Sequence, residues 1–440
     1  MDHSHISDAG SEAPALASVL QQLLPQALPI GVRAWDGSTA AGGASGAVVD
    51  VRSPDALRRL MWAPNELGFG RAYVAGDLDV DGNLYEVLAA RDSLQLGEPQ
   101  PSFDLGARGW LRVLRLARRA GVLGRPLPAP REESRLRGRR HSRARDAAAV
   151  SFHYDISNDF YRLLLGPTMT YSCAFFEHDD STLDEAQEAK YGLICRKLGL
   201  RPGMRLLDVG CGWGGMVLHA AAHYGVDAVG VTLSRQQAEL AELRVAQLGL
   251  TGRVQIRVQD YREIVDGPFD AISSIGMFEH VGLQNLAEYF DRLRTLLRPG
   301  GRLLNHGISR PSGRQRWGRH SFIDRYVFPD GELHEVGTVV SAMQAQGFEV
   351  RDVESLREHY ARTLHAWSAN LDAGWDEAQL LIGVGRARVW RLYVAAAALN
   401  FEAARSSIHQ VLAVNDHPDG RSEMPPTRAA LLLARESMSD

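Results

Sequence analysis

Between Met204 and Ser309 the chain alternates five apolar runs with helical stretches, and this restricts its fold more than any other feature of its 440 residues. The runs are 204–211 (MRLLDVGC), 227–233 (DAVGVTL), 254–260 (VQIRVQD), 270–276 (DAISSIG) and 301–309 (GRLLNHGIS). Helical patterns over 213–224, 234–249 and 284–298 separate them. Parallel strands need long crossovers, and crossover helices cover both faces of the sheet, so the pattern predicts an α/β fold with a parallel sheet. The first run opens into Gly210, Gly212, Gly214 and Gly215. Glycines there permit a tight turn and let a ligand approach the strand end. The step from Gly212 to Gly215 suits a dinucleotide fingerprint, but the second run ends in GVTLS, with no acid for a ribose. Acids stand instead at Asp208, before the loop, and at Asp260, after the third run.

The chain is long enough for two or three domains. A net charge of −4 gives no global attraction to nucleic acid, and no apolar run is long enough to span a bilayer. Cys173, Cys195 and Cys211 are odd in number and lack metal-site spacing, which suits a reducing cytoplasm. Lys190 and Lys197 are the only lysines, a bias given no functional weight. The expected layout is a frayed tail over 1–12, an N-terminal α+β domain over 13–123, a Pro/Arg-rich linker over 124–146, an α/β domain over 147–415 and a tail over 416–440. Arg108, Arg112, Arg115 and Arg119 fall on one helical face, with Trp110, Leu114 and Ala117 on another. Such a helix fits a solvated charged surface, or a helix lying on an anionic membrane.

The fourth run delivers Glu279 and His280 side by side before Gly282. Burying a carboxylate is costly unless it is paired, so Glu279 either caps the next helix, pairs with an arginine, or serves a site. If the segment stays extended, His280 faces the opposite way and is structural. His306 sits at the carboxyl end of a strand, where open α/β sheets gather their sites.

Five segments resemble the cyclopropane fatty acid synthase family, which includes the mycolic acid cyclopropane synthases. They are HYDISNDFYRLLLGPTMTYSCAFFEHDDSTLDEAQEAKY (153–191), LLDVGCGWGG (206–215), GVTLSRQQ (230–237), IGMFEHVG (275–282) and LREHYARTLHAW (356–367). The resemblance covers about 150–415 and implies a class I S-adenosylmethionine-dependent methyltransferase fold, Rossmann-like, with a mostly parallel seven-stranded sheet. The N-terminal part is similar to the extra domain of long, phospholipid-modifying bacterial members. The implied activity is transfer of the methyl group of S-adenosyl-L-methionine to a cis double bond of an unsaturated phospholipid acyl chain, giving a cyclopropane. Methylene- or methyl-branched products, made with a partner reductase, and methylation of a soluble small molecule are the alternatives.

The implied cofactor contacts are Tyr171, Ser172, Asp208, Gly210, Gly212, Gly214, Thr232, Ser234, Gln237, Asp260 and Tyr261. A bicarbonate ion is implied as proton acceptor beside Cys173, Glu279, His306, Ile308 and Tyr360, with Cys173 offering a backbone contact at most. Faces of Tyr171 and Phe176 are candidates to stabilise positive charge. Where members often carry a late-helix cysteine, this chain has Ala397. No metal or nucleic acid is implied. The expected setting is the cytoplasmic face of the inner membrane, peripherally bound, and a homodimer stays open.

Overall fold

The computed structural model describes residues 15–21, 30–42, 47–93, 123–136, 138, 140–154, 156–313 and 321–432, with 111, 114, 115, 117, 118 and 121. The chain divides into two compact units, Met1–Pro130 and Arg131–Asp440. In the first, strands β1 (Gly31–Ala34), β2 (Thr39–Ala40), β3 (Val48–Val51) and β4 (Leu78–Asp81) form a sheet in the order β2-β1-β3-β4. Helices Asp55–Trp62 and Glu66–Ala75 lie between β3 and β4. Asn65 starts the second helix by accepting from the backbone N–H groups of Leu67 and Gly68, and Gly76 ends it in the left-handed conformation. Of the expected arginine face, Arg108, Arg112 and Arg119 lie outside the described residues, as do Trp110 and the 1–12 tail.

The second unit holds β5 (Arg205–Val209), β6 (Asp227–Thr232), β7 (Val254–Val258), β8 (Phe269–Ile275), β9 (Leu297–Ser309), β10 (Glu349–Ser355) and β11 (Ser407–Val414). Their order is β10-β11-β9-β8-β5-β6-β7. The five strands from β9 to β7 run parallel, and β11 enters antiparallel to both β9 and β10. All five expected strands are present, although β9 starts earlier, at Leu297.

Alternation builds two cores from one strand. Leu206 packs with Val217, Ala241, Leu304 and Leu412, while Leu207 and Val209 pack on the other face with Phe269, Phe290, Leu303 and Val411. Helix Leu183–Leu198 is fixed at both ends by sequence: Thr182 and Glu185 form a reciprocal capping box, and Gly199 closes it in the left-handed region. Lys197, fully buried on this helix, donates to Glu354 Oε2 at 2.5 Å and Gln410 Oε1 at 2.8 Å. Those acceptors make a buried ammonium tolerable.

The expected linker is in part folded into this unit. Ser134 N–H donates to Arg325 O at 2.7 Å, Arg140 Nε to Asp330 Oδ1 at 2.7 Å, and Arg145 Nη2 to the same oxygen at 2.8 Å. Part of the expected C-terminal tail is folded too: Glu423 pairs with Arg298 at 3.1 Å, and Leu431 enters the core beside Ile194 and Leu198. Arginine charge and one leucine hold these segments on the unit. Among the described residues no helix is long and apolar enough to cross a membrane.

Candidate active site

Two adjoining cavities lie at the carboxyl ends of the parallel strands. The larger, of about 140 Å³, is lined by the β5 glycine loop and by Tyr171, Ser172, Asp208, Gly210, Gly212, Thr232, Gln237, Asp260 and Tyr261. Gly210 and Gly212 have φ of 83° and 54°, a conformation a side chain disfavours. Gly215 admits no Cβ, which would stand 2.1 Å from Tyr191 Oη. Two expected contacts act one step back: Gly214 starts helix Gly215–Tyr224, and Ser234 caps helix Arg235–Gln247 by accepting from Gln237 N–H at 3.1 Å.

Of the charged residues that line this cavity, Asp208 and Lys190 are buried. Asp208 accepts from Ser273 Oγ at 2.6 Å, and burial raises its carboxyl to about 6. Asp260 is held by Arg262, whose Nη2 donates at 2.6 Å and Nε at 2.9 Å. Lys190 also lines the cavity and donates to Ser172 Oγ at 2.9 Å; burial pushes its ammonium down to about 7. Acceptors at two strand ends, donors from Lys190 and the glycine loop, and close backbone approach suit a ligand joining an amino-acid zwitterion to a nucleoside. Lysine scarcity in the sequence concealed Lys190, one of two such residues and both fully buried.

The smaller cavity, of about 70 Å³, shares Tyr154, Tyr171, Gly276 and His280 with the first. Its remaining wall is mainly aromatic and aliphatic, with Ile308, Phe328, Tyr360, Leu364, Tyr393, Ala397 and Phe401. Tyr171 packs 5.2 Å from Trp367 and donates to the Tyr393 hydroxyl at 3.3 Å. Glu279 enters this wall from a 3₁₀ turn, Phe278–His280. Its Oε1 accepts from Ile308 N–H at 2.6 Å, while Oε2 has no hydrogen-bond partner among the described residues. Burial raises its carboxyl to about 7 against the opposing Ile308 hydrogen bond. Among the described residues neither a helix cap nor an arginine accounts for it.

Gly307 makes this placement possible. A Cβ there would lie 2.0 Å from the Phe278 ring and 3.2 Å from Glu279 Oε1. Gly307→Ala is therefore expected to destabilise the protein by about 1–3 kcal/mol, as overpacking does, and to reduce turnover with it; thermal unfolding and activity assays check both.

Two sequence expectations, for His280 and Phe176, need correction. His280 is not turned away: the 3₁₀ turn, which replaces an extended strand, brings it onto both cavities, and burial lowers its imidazole to about 4. Phe176 lines neither cavity; it packs with Ala174 and Ala186, and Arg362 stacks on its ring at 4.1 Å. Cys173 and His306 are fully buried but also line neither cavity. The Cys173 thiol contacts Leu356 O at 3.7 Å, and burial raises its pKa. His306 Nδ1 lies 3.5 Å from Gln410 Nε2, and its own carbonyl accepts from Gly276 N–H at 2.8 Å. Its Nε2 is buried and has no hydrogen-bond partner among the described residues. Tyr154, Phe328 and Tyr393 had no sequence signal beyond being aromatic, since only folding collects them.

The strand order, the glycine loop, the acid at the end of β5 and the acid after β7 define a class I methyltransferase fold, and the site is that of an S-adenosylmethionine-dependent enzyme. The family described as mycolic acid cyclopropane synthetase matches residues 141–411, and the chain belongs to it. It is 44% identical over 407 residues to a probable fatty acid methyltransferase of Mycobacterium tuberculosis, covering 90% of this chain and 93% of that one. A probable fatty acid methyltransferase of Pseudomonas putida is 40% identical over 409 residues, covering 91% and 95%. The structure of mycolic acid cyclopropane synthase CmaA1 complexed with SAH and CTAB is similar with a TM-score of 0.58 and 38% identity, over 61% of this chain and 97% of that one.

Proposed function

We propose that the protein methylates the cis double bond of unsaturated fatty acyl chains in phospholipid and closes a cyclopropane ring. One observation carries the reading: a buried carboxylate, Glu279, with one oxygen unpartnered among the described residues, set in a mainly apolar cavity that adjoins the cofactor cavity. An alkene is a weak nucleophile. The sulfonium of bound S-adenosylmethionine supplies an electrophilic methyl group and leaves as a neutral thioether. The alkene electron pair forms the new carbon–carbon bond, and positive charge is left on the acyl chain. The faces of Tyr154, Tyr171 and Phe328 suit that charge, and the aromatic wall keeps water from it. Ring closure needs a proton removed from the added methyl, its C–H pair forming the last bond.

Bicarbonate fits as the base. Ionised Glu279 offers Oε2 to the O–H of such an anion, and the Tyr360 hydroxyl can donate to it. Glu279 then anchors the base and is not itself the base. His306 positions the strand end through its carbonyl, and Cys173 contributes packing. Ala397, in the wall where members often carry cysteine, implies that no thiolate from that position takes part.

The full-length relatives named fatty acid methyltransferases favour keeping one second reading: the same cation loses its proton after a hydride shift, giving a methylene branch that a partner reductase saturates. The test is incubation of the protein with cofactor and vesicles of cis-unsaturated phospholipid, followed by mass spectrometry before and after catalytic hydrogenation. A product one methylene heavier that keeps its unsaturation equivalent under mild hydrogenation supports the ring, and one that takes up hydrogen identifies the branch. Unmodified lipid alongside methylation of a soluble amine or thiol overturns both.

Acting on phospholipid places the protein at the cytoplasmic membrane face. Arg115 and Arg118 are exposed, as are Leu111 and Leu114 at 51% and 48%. Mixed arginine and leucine exposure suits anionic headgroups over acyl chains. Replacing Arg112, Arg115 and Arg119 together by Glu is expected to weaken binding to anionic vesicles at least about tenfold, since each basic residue contributes about 1 kcal/mol there, and to leave cofactor affinity unchanged. Vesicle co-sedimentation and cofactor calorimetry measure the two.

A further inference from the structure

Away from both cavities, helices Leu183–Leu198 and Gly215–Tyr224 pack together and bring Glu188, His219 and His223 to one place. The two histidines are one turn apart on the same helix, so their rings share a face, with centroids 4.5 Å apart. Glu188 reaches across from the other helix, its Oε2 2.8 Å from His219 Nδ1. One potential ligand atom from each residue lies within 4.8 Å of the others. Two imidazoles and a carboxylate form a donor set typical of zinc, and ligands of one tetrahedral ion stand roughly 3.4 Å apart. Small side-chain rotations close that gap, because His223 and Glu188 are exposed and only His219 is half-buried.

The geometry points to a divalent transition-metal site, best suited to zinc, formed by Glu188, His219 and His223 with its fourth position open to water. No chemistry of the methyl transfer requires it. Its place in the fold gives it a consequence, because the ion would clip together two helices that shape the cofactor cavity. Next to Glu188, Gln187 donates to Ser172 O at 2.9 Å and Lys190 to Ser172 Oγ at 2.9 Å. The other helix springs directly from the glycine loop, with Gly215 against Tyr191.

The test uses the full-length protein, stripped with chelator and titrated with zinc by calorimetry and with cobalt by absorption spectroscopy. His223→Ala is the informative variant, since it keeps the Glu188–His219 hydrogen bond and lies at a residue that lines neither cavity; Glu188→Gln is the second. The wild type is expected to bind one zinc with micromolar or tighter affinity, to unfold at higher temperature with zinc, and to give the intense cobalt bands of a tetrahedral site. Each variant is expected to weaken that event at least about tenfold and to lose the bands. Equal stoichiometry and affinity in wild type and His223→Ala would assign the metal to other histidines and overturn the proposal. Wild-type binding no tighter than millimolar would do the same.

Discussion

Glu279→Gln is expected to lower turnover about 10²–10³-fold while changing cofactor affinity less than about threefold, the range for loss of a group that supports proton transfer. The amide keeps an oxygen for Ile308 N–H, so the fold of the turn survives, but it carries no charge to hold an anion's O–H. The same substitution is expected to stabilise the protein, with a definite pH signature. Burial raises the Glu279 carboxyl from its ordinary 4.5 to about 7, so between these pH values the folded state holds a proton that the unfolded state has released. Stability conferred by the wild-type residue therefore falls as pH rises through this window, by on the order of 3 kcal/mol, and no further above it. Gln does not titrate. The advantage of the variant should be small near pH 4, grow across the window and level off above neutrality. Denaturant unfolding across that range, beside a pH–rate profile whose rising limb near 7 is present only in the wild type, measures both halves.

Ala397→Phe is expected to reduce lipid turnover at least about 10²-fold with cofactor binding intact. Ala397 is buried in the wall of the smaller cavity with Tyr360, Tyr393 and Phe401, and it does not line the larger one. A phenyl ring added there competes with the acyl chain for space, and displacement of a reacting carbon by about 1 Å already costs that much. Calorimetry with the cofactor separates this outcome from unfolding. Normal lipid turnover in the variant would move the acyl chain out of this cavity.

The parallel sheet was legible because its signal is local and repeated. Leu206 and Leu207 sit on opposite faces yet are both apolar, as a strand covered on both sides demands, and the glycine loop marks where the first strand stops. The expected contacts Gly210, Gly212, Thr232 and Asp260 line one cavity because each lies at or just after the end of a strand. The acyl cavity was not legible, because Tyr154, Phe328 and Tyr393 come from distant segments and meet only after folding. His280 was misplaced because an extended segment was assumed where Gly276 and Gly282, both at positive φ, bracket a 3₁₀ turn. His306 was expected at the site from its strand end; its Nδ1 lies against Gln410, its carbonyl accepts from Gly276 N–H, and its Nε2 has no hydrogen-bond partner among the described residues. The linker expected over 124–146 rested on its proline-rich and basic runs, whereas Asp330 gathers Arg140 and Arg145 onto the fold.

The account stands on one chemical event: inside this buried, mostly apolar pocket, a carbon newly joined to a hydrocarbon gives up a hydrogen. Supplying S-adenosylmethionine with a fully deuterated methyl group and weighing the product lipid tests it directly. Retention of two of the three deuterons is the predicted result; a product keeping all three, on lipid or on any soluble acceptor, contradicts it.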